Sequence, residues 1–229
     1  MTAAQVCKQV LDHRLIAVLR EDTTEAAVAM GRALLAAGVK VIEVAYTTPG
    51  AADVLGELQH AAGSDVVLGA GTIRRRAELE DALGAGAQFV FSPHVDVSLL
   101  RAAQQADILA IPGVMTPTEV ATALGAGTPL VKLFPATSLG PGYLGSLRGP
   151  CPELRAITTG GLTVENVDGW MAAGADAVGV SGAFERAWSR GGAEAVARTA
   201  RGFLSALKDG PGTAHAEGNG FYSVRTPNT

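Results

Sequence analysis

The sequence predicts an α/β protein, a single (β/α)8 or TIM barrel, and three observations carry that expectation. Short apolar runs rich in β-formers alternate with Ala- and Leu-rich stretches of helical length, the pattern of successive βα units around a parallel sheet. Eight such runs occur within 229 residues, a length that single barrels commonly reach. A small residue, a glycine and an apolar strand recur in AGVKVIEV, AGAQFVF, AGTPLVKLF and AGADAVGV. That repeat is expected where a helix ends on a left-handed residue and the chain enters the next buried strand. An open doubly wound sheet is the competing arrangement.

In chain order, the apolar run 14–19 is the first expected strand, and the Ala/Leu-rich segment 24–37 is a helix closed by Gly38. Strand 39–45, helix 51–62, strand 66–69 and helix 75–82 follow. Gly86 leads into strand 88–91, then come helix 98–105, strand 108–111 and helix 116–124. Gly127 leads into strand 130–134; strand 154–158 and helix 166–173 precede Gly174 and strand 177–180, and a closing helix is expected at 193–207. Residues 1–208 then form one domain. Residues 209–229, rich in Gly, Thr, Asn and Pro without periodicity, are expected to be a mobile tail or lid.

Composition narrows the function classes. Hydrophobic residues make up 48% and charged residues 17%, which fits a compact globular protein rather than a disordered chain. The 18 basic and 22 acidic residues give a net charge of -4 without a dense Lys/Arg cluster, so no nucleic-acid partner is expected. The sequence lacks an 18-residue apolar run and a basic, apolar leader, so neither membrane insertion nor secretion is expected and a cytoplasmic location is. Cys7 and Cys151 stand far apart without a CxxC or Cys/His cluster. Neither a disulfide framework nor a metal site is expected, and no cofactor.

Two charged residues fall where strands should be apolar. Period-two counting puts Glu43 on one face with Val41 and Ala45, and Lys132 on one face with Leu130 and Phe134. Both faces of a barrel strand are covered, so neither charge escapes to water by changing side. One reading is a buried Lys132–Glu43 salt bridge that only fixes register. The other is catalytic. Burial favours the neutral amine that attacks carbonyls, and both residues lie toward the C-terminal strand ends where barrel enzymes build their sites.

Further candidates end the other strands. GAGT, Gly69 to Thr72, allows close backbone approach and offers the Thr72 hydroxyl and amide. TTGG, through Thr159, Gly160 and Gly161, and GVSG, through Gly179, Ser181 and Gly182, follow strands seven and eight, where barrels commonly hold phosphate on backbone amides. Arg20 ends strand one and could fork a carboxylate, or stand as a solvated surface residue. His94 of FSPH, Phe91 to His94, is as readily a rim residue as a catalyst, with no metal-ligand spacing around it.

Together, IAVLR, VIEVAYTTPGA, VLGAGT, FSPH, IPGVMTPTE, VKLFPA, TTGG and AVGVSGAF resemble the 2-keto-3-deoxy-6-phosphogluconate (KDPG) / 4-hydroxy-2-oxoglutarate (KHG) aldolase family over roughly residues 14 to 207. The resemblance implies a barrel of class I aldolase type that assembles as a homotrimer and works without metal. It implies Lys132 as the Schiff-base residue, Glu43 as the general acid/base, Thr72 with Arg20 as carboxylate ligands, and Phe134 packed beside the imine. Thr159, Gly160, Gly161, Gly179, Ser181 and Gly182 are then the phosphate end of the site. The chain departs from the pattern in three places. Tyr46 to Pro49 stand where some members carry an Arg, TTGG replaces PTGG, and Ser181 precedes Gly182 rather than following a glycine.

The activity so implied is cleavage of KDPG, a phosphorylated keto acid, to pyruvate and glyceraldehyde 3-phosphate, as in the Entner–Doudoroff breakdown of sugar acids. Cleavage of 4-hydroxy-2-oxoglutarate to pyruvate and glyoxylate, or of a 6-phosphogalactonate-type keto-deoxy acid, is the alternative within the family. A phosphate-binding isomerase or epimerase would explain the glycine loops but not Lys132. A noncatalytic sugar-acid binder would explain the pocket but not its chemistry.

Overall fold

A computed structural model describes residues 1–209 of the chain. The tail expected at 209–229 therefore lies, from residue 210 on, outside the described residues. Nine parallel segments form one sheet: β1 (Leu15–Leu19), β2 (Val41–Ala45), β3 (Val67–Gly71), β4 (Phe89–Phe91), β5 (Leu109–Ile111), β6 (Gly113–Val114), β7 (Val131–Leu133), β8 (Ala156–Thr159) and β9 (Ala177–Val180). Their order is β5-β4-β3-β2-β1-β9-β8-β7-β6.

The two ends of that order are consecutive in the chain, separated only by Pro112. β5 pairs with β4 and β6 pairs with β7, so one bent stave closes the ring. Nine segments thus make the eight expected staves, and the open-sheet arrangement is not adopted. Proline lacks the N–H that would continue the ladder, but its carbonyl still accepts the Lys132 N–H at 2.8 Å. The fifth strand is accordingly longer than the expected 108–111.

The outer layer comprises α2 (Thr24–Ala36), α3 (Ala51–Ala61), α4 (Arg76–Gly84), α5 (Val97–Gln105), α6 (Pro117–Gly125), α7 (Ala136–Leu139), α8 (Pro141–Arg148), α9 (Val167–Ala172) and α10 (Gly182–Asp209). The predicted helices and the remaining strands lie within two residues of these bounds. The repeat glycines take the left-handed turns expected of them, with φ of 93° at Gly38, 81° at Gly86, 80° at Gly127 and 93° at Gly174. The closing helix proves to be the second arm of α10, which kinks at Gly191 and Gly192; its first arm, α7 and α8 were not expected. Leu19, Met30, Leu34, Leu55 and Leu58 belong to the core between strands and helices, and Phe184 meets Phe203 edge-on at 5.8 Å. Among the described residues no helix is long and apolar enough to cross a membrane.

One further helix, not among the expected elements, sets the depth of the lumen. α1 (Ala3–His13) starts on a capping box, in which the Thr2 hydroxyl accepts the Gln5 N–H at 3.3 Å and the Gln5 side chain accepts the Thr2 N–H at 2.8 Å. Ala3, Val6, Cys7 and Val10 recur at helical spacing and are buried. They pack with Ile16, Val41, Val67, Phe89, Leu109, Leu130, Ile157 and Ala177 in a separate core cluster, so α1 plugs the N-terminal end of the barrel. Burial pushes the Cys7 thiol up to about 11.

Candidate functional site

Above that apolar plug the same alternation continues with different chemistry. Val41 and Glu43 are two apart on β2, so Glu43 follows Val41 into the lumen, and on β7 Lys132 follows Leu130, the residue just before that strand. Register places Glu43 between Val18 and Gly69, and Lys132 between Gly113 and Ile157. Glu43 is 0% exposed and Lys132 8%. The two predicted catalytic residues therefore share one cavity wall system at the C-terminal side of the plug.

The Glu43 carboxylate lies where a side chain of Gly71 would stand, so any Cβ at residue 71 displaces it. Neither of its oxygens has a hydrogen-bond partner among the described residues. Burial pushes its carboxyl above the ordinary range, and the positive charges of Lys132 and then Arg20 oppose this without reversing it. A carboxyl in that state accepts and returns a proton more readily near neutral pH than a solvated glutamate does.

Lys132 forms no ion pair with Glu43, so the register salt bridge is not what the structure contains. Its Nζ lies instead 5.0 Å from the Phe91 ring centre and 5.3 Å from that of Phe134. Two aromatic faces hold the amine in a slot whose outer wall, Phe134, is 40% exposed. Phe134 thus lies beside the Lys132 amine, where the resemblance places it relative to that residue. Phe91 was a missed neighbour: counting by twos from Phe89 along β4 would have put it in the lumen.

Thr72 follows β3 with φ of 60°, a left-handed conformation uncommon for any side chain and strained for a β-branched one. The strain sits at the mouth, one residue after the Gly71 that accommodates Glu43. Arg20 is exposed immediately after β1. His94 is exposed in the loop that follows β4. Among the described residues no group of three or more His, Cys, Asp or Glu could hold a metal ion.

The loops after β8 and β9 meet at the same end. Thr159 is 4% exposed, its hydroxyl has no hydrogen-bond partner among the described residues, and it fills the space a Gly179 side chain would need. Gly160, with φ of 105°, lies against the Phe134 ring, and Gly161, with φ of 75°, against the Thr137 side chain. This loop is therefore packed onto the segment that follows Lys132. At the start of α10 the Ser181 carbonyl accepts from Phe184 and Glu185, and the preceding amides of Gly182 and Ala183 lie in the first turn, where helices leave donors unpaired. The Ser181 hydroxyl is already committed, donating to Glu185 at 2.6 Å. Burial, Glu185 and then Asp22 also push the Glu21 carboxyl upward, so the β1 side of this rim is acidic.

The family model described as KDPG and KHG aldolase matches residues 6–194. The 2-dehydro-3-deoxy-6-phosphogalactonate aldolase of Escherichia coli is 30% identical over 196 residues, covering 85% of this chain and 95% of that protein. The 2-dehydro-3-deoxy-phosphogluconate aldolase of Treponema pallidum is 34% identical over 69% of this chain and 76% of its own length. A solved structure of Legionella pneumophila KDPG aldolase, with pyruvate captured as a covalent carbinolamine intermediate, superposes with a TM-score of 0.75 at 29% identity, covering 84% of this chain and 95% of that one. A match over this much of the chain, on a barrel with this lumen, means that the protein belongs to the KDPG/KHG aldolase family of carbon–carbon lyases.

Proposed function

We propose that the chain is a lysine-dependent aldolase that cleaves 2-keto-3-deoxy-6-phosphogluconate to pyruvate and glyceraldehyde 3-phosphate. The observation that carries the reading is the fully buried Glu43 carboxylate, without a hydrogen-bond partner among the described residues, in one lumen with an amine held between two aromatic rings. The neutral Lys132 amine adds to the keto carbon, and loss of water leaves a protonated imine that withdraws electrons. Glu43 takes the proton of the neighbouring hydroxyl, the carbon–carbon bond breaks, and its electron pair forms the enamine as the aldehyde departs. Glu43 then returns the proton to the enamine carbon, and water releases pyruvate from Lys132. The carbinolamine named for the Legionella relative supports the covalent step.

Thr72 and Arg20 are assigned to the substrate carboxylate. The phosphate is assigned to the loop of Thr159, Gly160 and Gly161 and to the α10 start, with Gly179 leaving room for Thr159 and the Gly182 amide as donor. Ser181 is assigned to orienting Glu185, since its hydroxyl is taken. A homotrimer in the cytoplasm goes with this reading, and sedimentation tests the assembly.

A second reading is favoured by one observation: the E. coli relative aligned over 95% of its length is named for 2-dehydro-3-deoxy-6-phosphogalactonate. Two experiments decide. Borohydride with pyruvate, followed by peptide mapping, should leave a reduced pyruvyl group on Lys132, and active protein unmodified there ends the Schiff-base reading. Comparison of kcat/KM for the two phosphorylated epimers and for 4-hydroxy-2-oxoglutarate then ranks the substrates. Gly182→Asp tests the phosphate end: a Cβ at residue 182 would meet the flexible end of the Arg186 side chain, which can give way, and the added carboxylate should depress cleavage of phosphorylated substrates selectively.

A further inference from the structure

We propose that the opposite, N-terminal end of the barrel carries a second binding site, for a phosphorylated carboxylic acid. A half-open cleft of about 810 Å³ lies there between the end of α1, the turn before β2, the start of β8 and the end of α10. That volume suits a small metabolite. The cleft is separated from Glu43 and Lys132 by the apolar layer that packs on α1.

Its walls are cationic, against the overall sign of the chain. Arg14, Lys40, Arg155 and Lys208 line it with His13, against Asp12 and Asp176, in a protein of net charge -4. Both acids are engaged elsewhere: Asp12 holds Lys8 at 2.6 Å, and Asp176 accepts from Arg148 and from the Ala156 N–H, each at 2.8 Å. Lys40 is tied to Asp65 at 2.6 Å. Arg14, Arg155 and Lys208 are left without an ion pair among the described residues. Two guanidinium forks and one ammonium match a ligand with two anionic groups, because a planar fork pairs bidentately with carboxylate or phosphate. Leu11, Leu204 and Leu207 supply apolar wall for its carbon skeleton.

Arg14 points to ligand binding independently of the cleft. Four turns from helix into strand place Gly38, Gly86, Gly127 and Gly174 at positive φ, whereas the turn from α1 into β1 places Arg14 there, at φ of 59°. Asp107, the arginine's counterpart before β5, also has positive φ, and its carboxylate accepts the Ala3 N–H at 3.3 Å, a local use. Among the described residues no such bond explains the Arg14 side chain, although its backbone is fixed by Val10 at 3.1 Å and Val178 at 2.8 Å. A position where glycine is the default keeps an arginine aimed at the cleft rim.

The test is calorimetric titration of the full chain with 3-phosphoglycerate, which has no keto carbon to form an imine. Four proteins are compared: wild type, Arg14→Gly, the exposed pair Arg155→Gln/Lys208→Gln, and Gly182→Asp, which alters only the catalytic mouth. The expected result is a saturable site weakened about tenfold or more by Arg14→Gly and by the exposed pair, the loss typical of charge-assisted hydrogen bonds, and retained in Gly182→Asp. Arg14→Gly should melt no lower than wild type without ligand, because glycine relieves the left-handed turn, and pyruvate trapping at Lys132 should persist in both cleft variants. Absence of saturable binding, equal isotherms in all four proteins, or weakening in Gly182→Asp alone overturns the proposal. None of these outcomes bears on the aldolase reading, which trapping tests separately.

Discussion

The two ends of the barrel lumen arise from one rule of alternation and reach opposite solutions. At the N-terminal end Ile16, Val41, Val67, Leu109, Leu130 and Ile157 close onto the apolar face of α1. One layer higher the inward positions hold Glu43, Lys132 and Thr159, and the Glu43 carboxylate and the Thr159 hydroxyl have no hydrogen-bond partner among the described residues. The plug gains stability by removing apolar area from water, at roughly 25 cal/mol per Å². The mouth gives stability up, since an unpartnered buried polar group costs about 1 to 3 kcal/mol and a charge more. Such groups persist where chemistry uses them, and the plug supplies the margin that tolerates them.

Changes at the mouth should therefore abolish chemistry with little loss of stability, and changes at the plug the reverse. The largest expected effect is Lys132→Ala, which should lower turnover by about 10⁴- to 10⁶-fold, the range seen when a covalent nucleophile or its partner is removed. Steady-state cleavage and circular dichroism measure both halves. Residual turnover within tenfold of wild type would break the comparison. Glu43→Gln should lower kcat by about 10²- to 10⁴-fold while pyruvate trapping at Lys132 continues. Mass spectrometry separates the two, and a variant that neither traps nor turns over would assign Glu43 to positioning the amine.

At the plug, Leu109→Ala should cost about 2 to 5 kcal/mol in urea unfolding, with kcat at low temperature close to wild type. A collapse of kcat with unchanged stability would show that the plug takes part in catalysis. The smallest effect concerns pH. Because the folded pKa of Glu43 is raised by burial, the native state binds its proton more tightly than the unfolded chain does. Its contribution to stability is then fully present below the unfolded glutamate range, near pH 4, and falls as pH rises from there through the folded value. Glu43→Gln should therefore be more stable than wild type near neutrality, with the gap closing toward pH 4. A gap that widened on acidification would reverse the sign of the argument.

Much of this contrast is legible in the sequence, for local reasons. The run VIEVA and the run VKL each interrupt an apolar face with one charge, and period two is a property of any strand. The glycine before each strand marks a left-handed helix end wherever it occurs. α1 is legible by the same local rules, because its capping box and its Ala3, Val6, Cys7, Val10 spacing are present in the first ten residues, but its short apolar face carries no β-rich run to mark it. Phe91 was within reach of the same counting. The Ser181 hydroxyl was not, because its bond to Glu185 depends on how the first turn of α10 folds back on its cap.

The sequence by itself determined the alternation of strands and helices, the inward placement of Glu43 and Lys132, and the aromatic flank at Phe134, since each follows from the periodicity of a single segment. The tertiary structure alone decided what those residues face. That Glu43 lies in the space left by Gly71 depends on the register of β2 against β3. That Lys132 meets Phe91 rather than pairing with Glu43 depends on ring closure through the bent stave at Pro112. The convergence of Arg14, Arg155 and Lys208 on one cleft joins positions far apart in the chain. Contacts between distant segments are set by packing and register summed over the whole barrel, which no local pattern encodes.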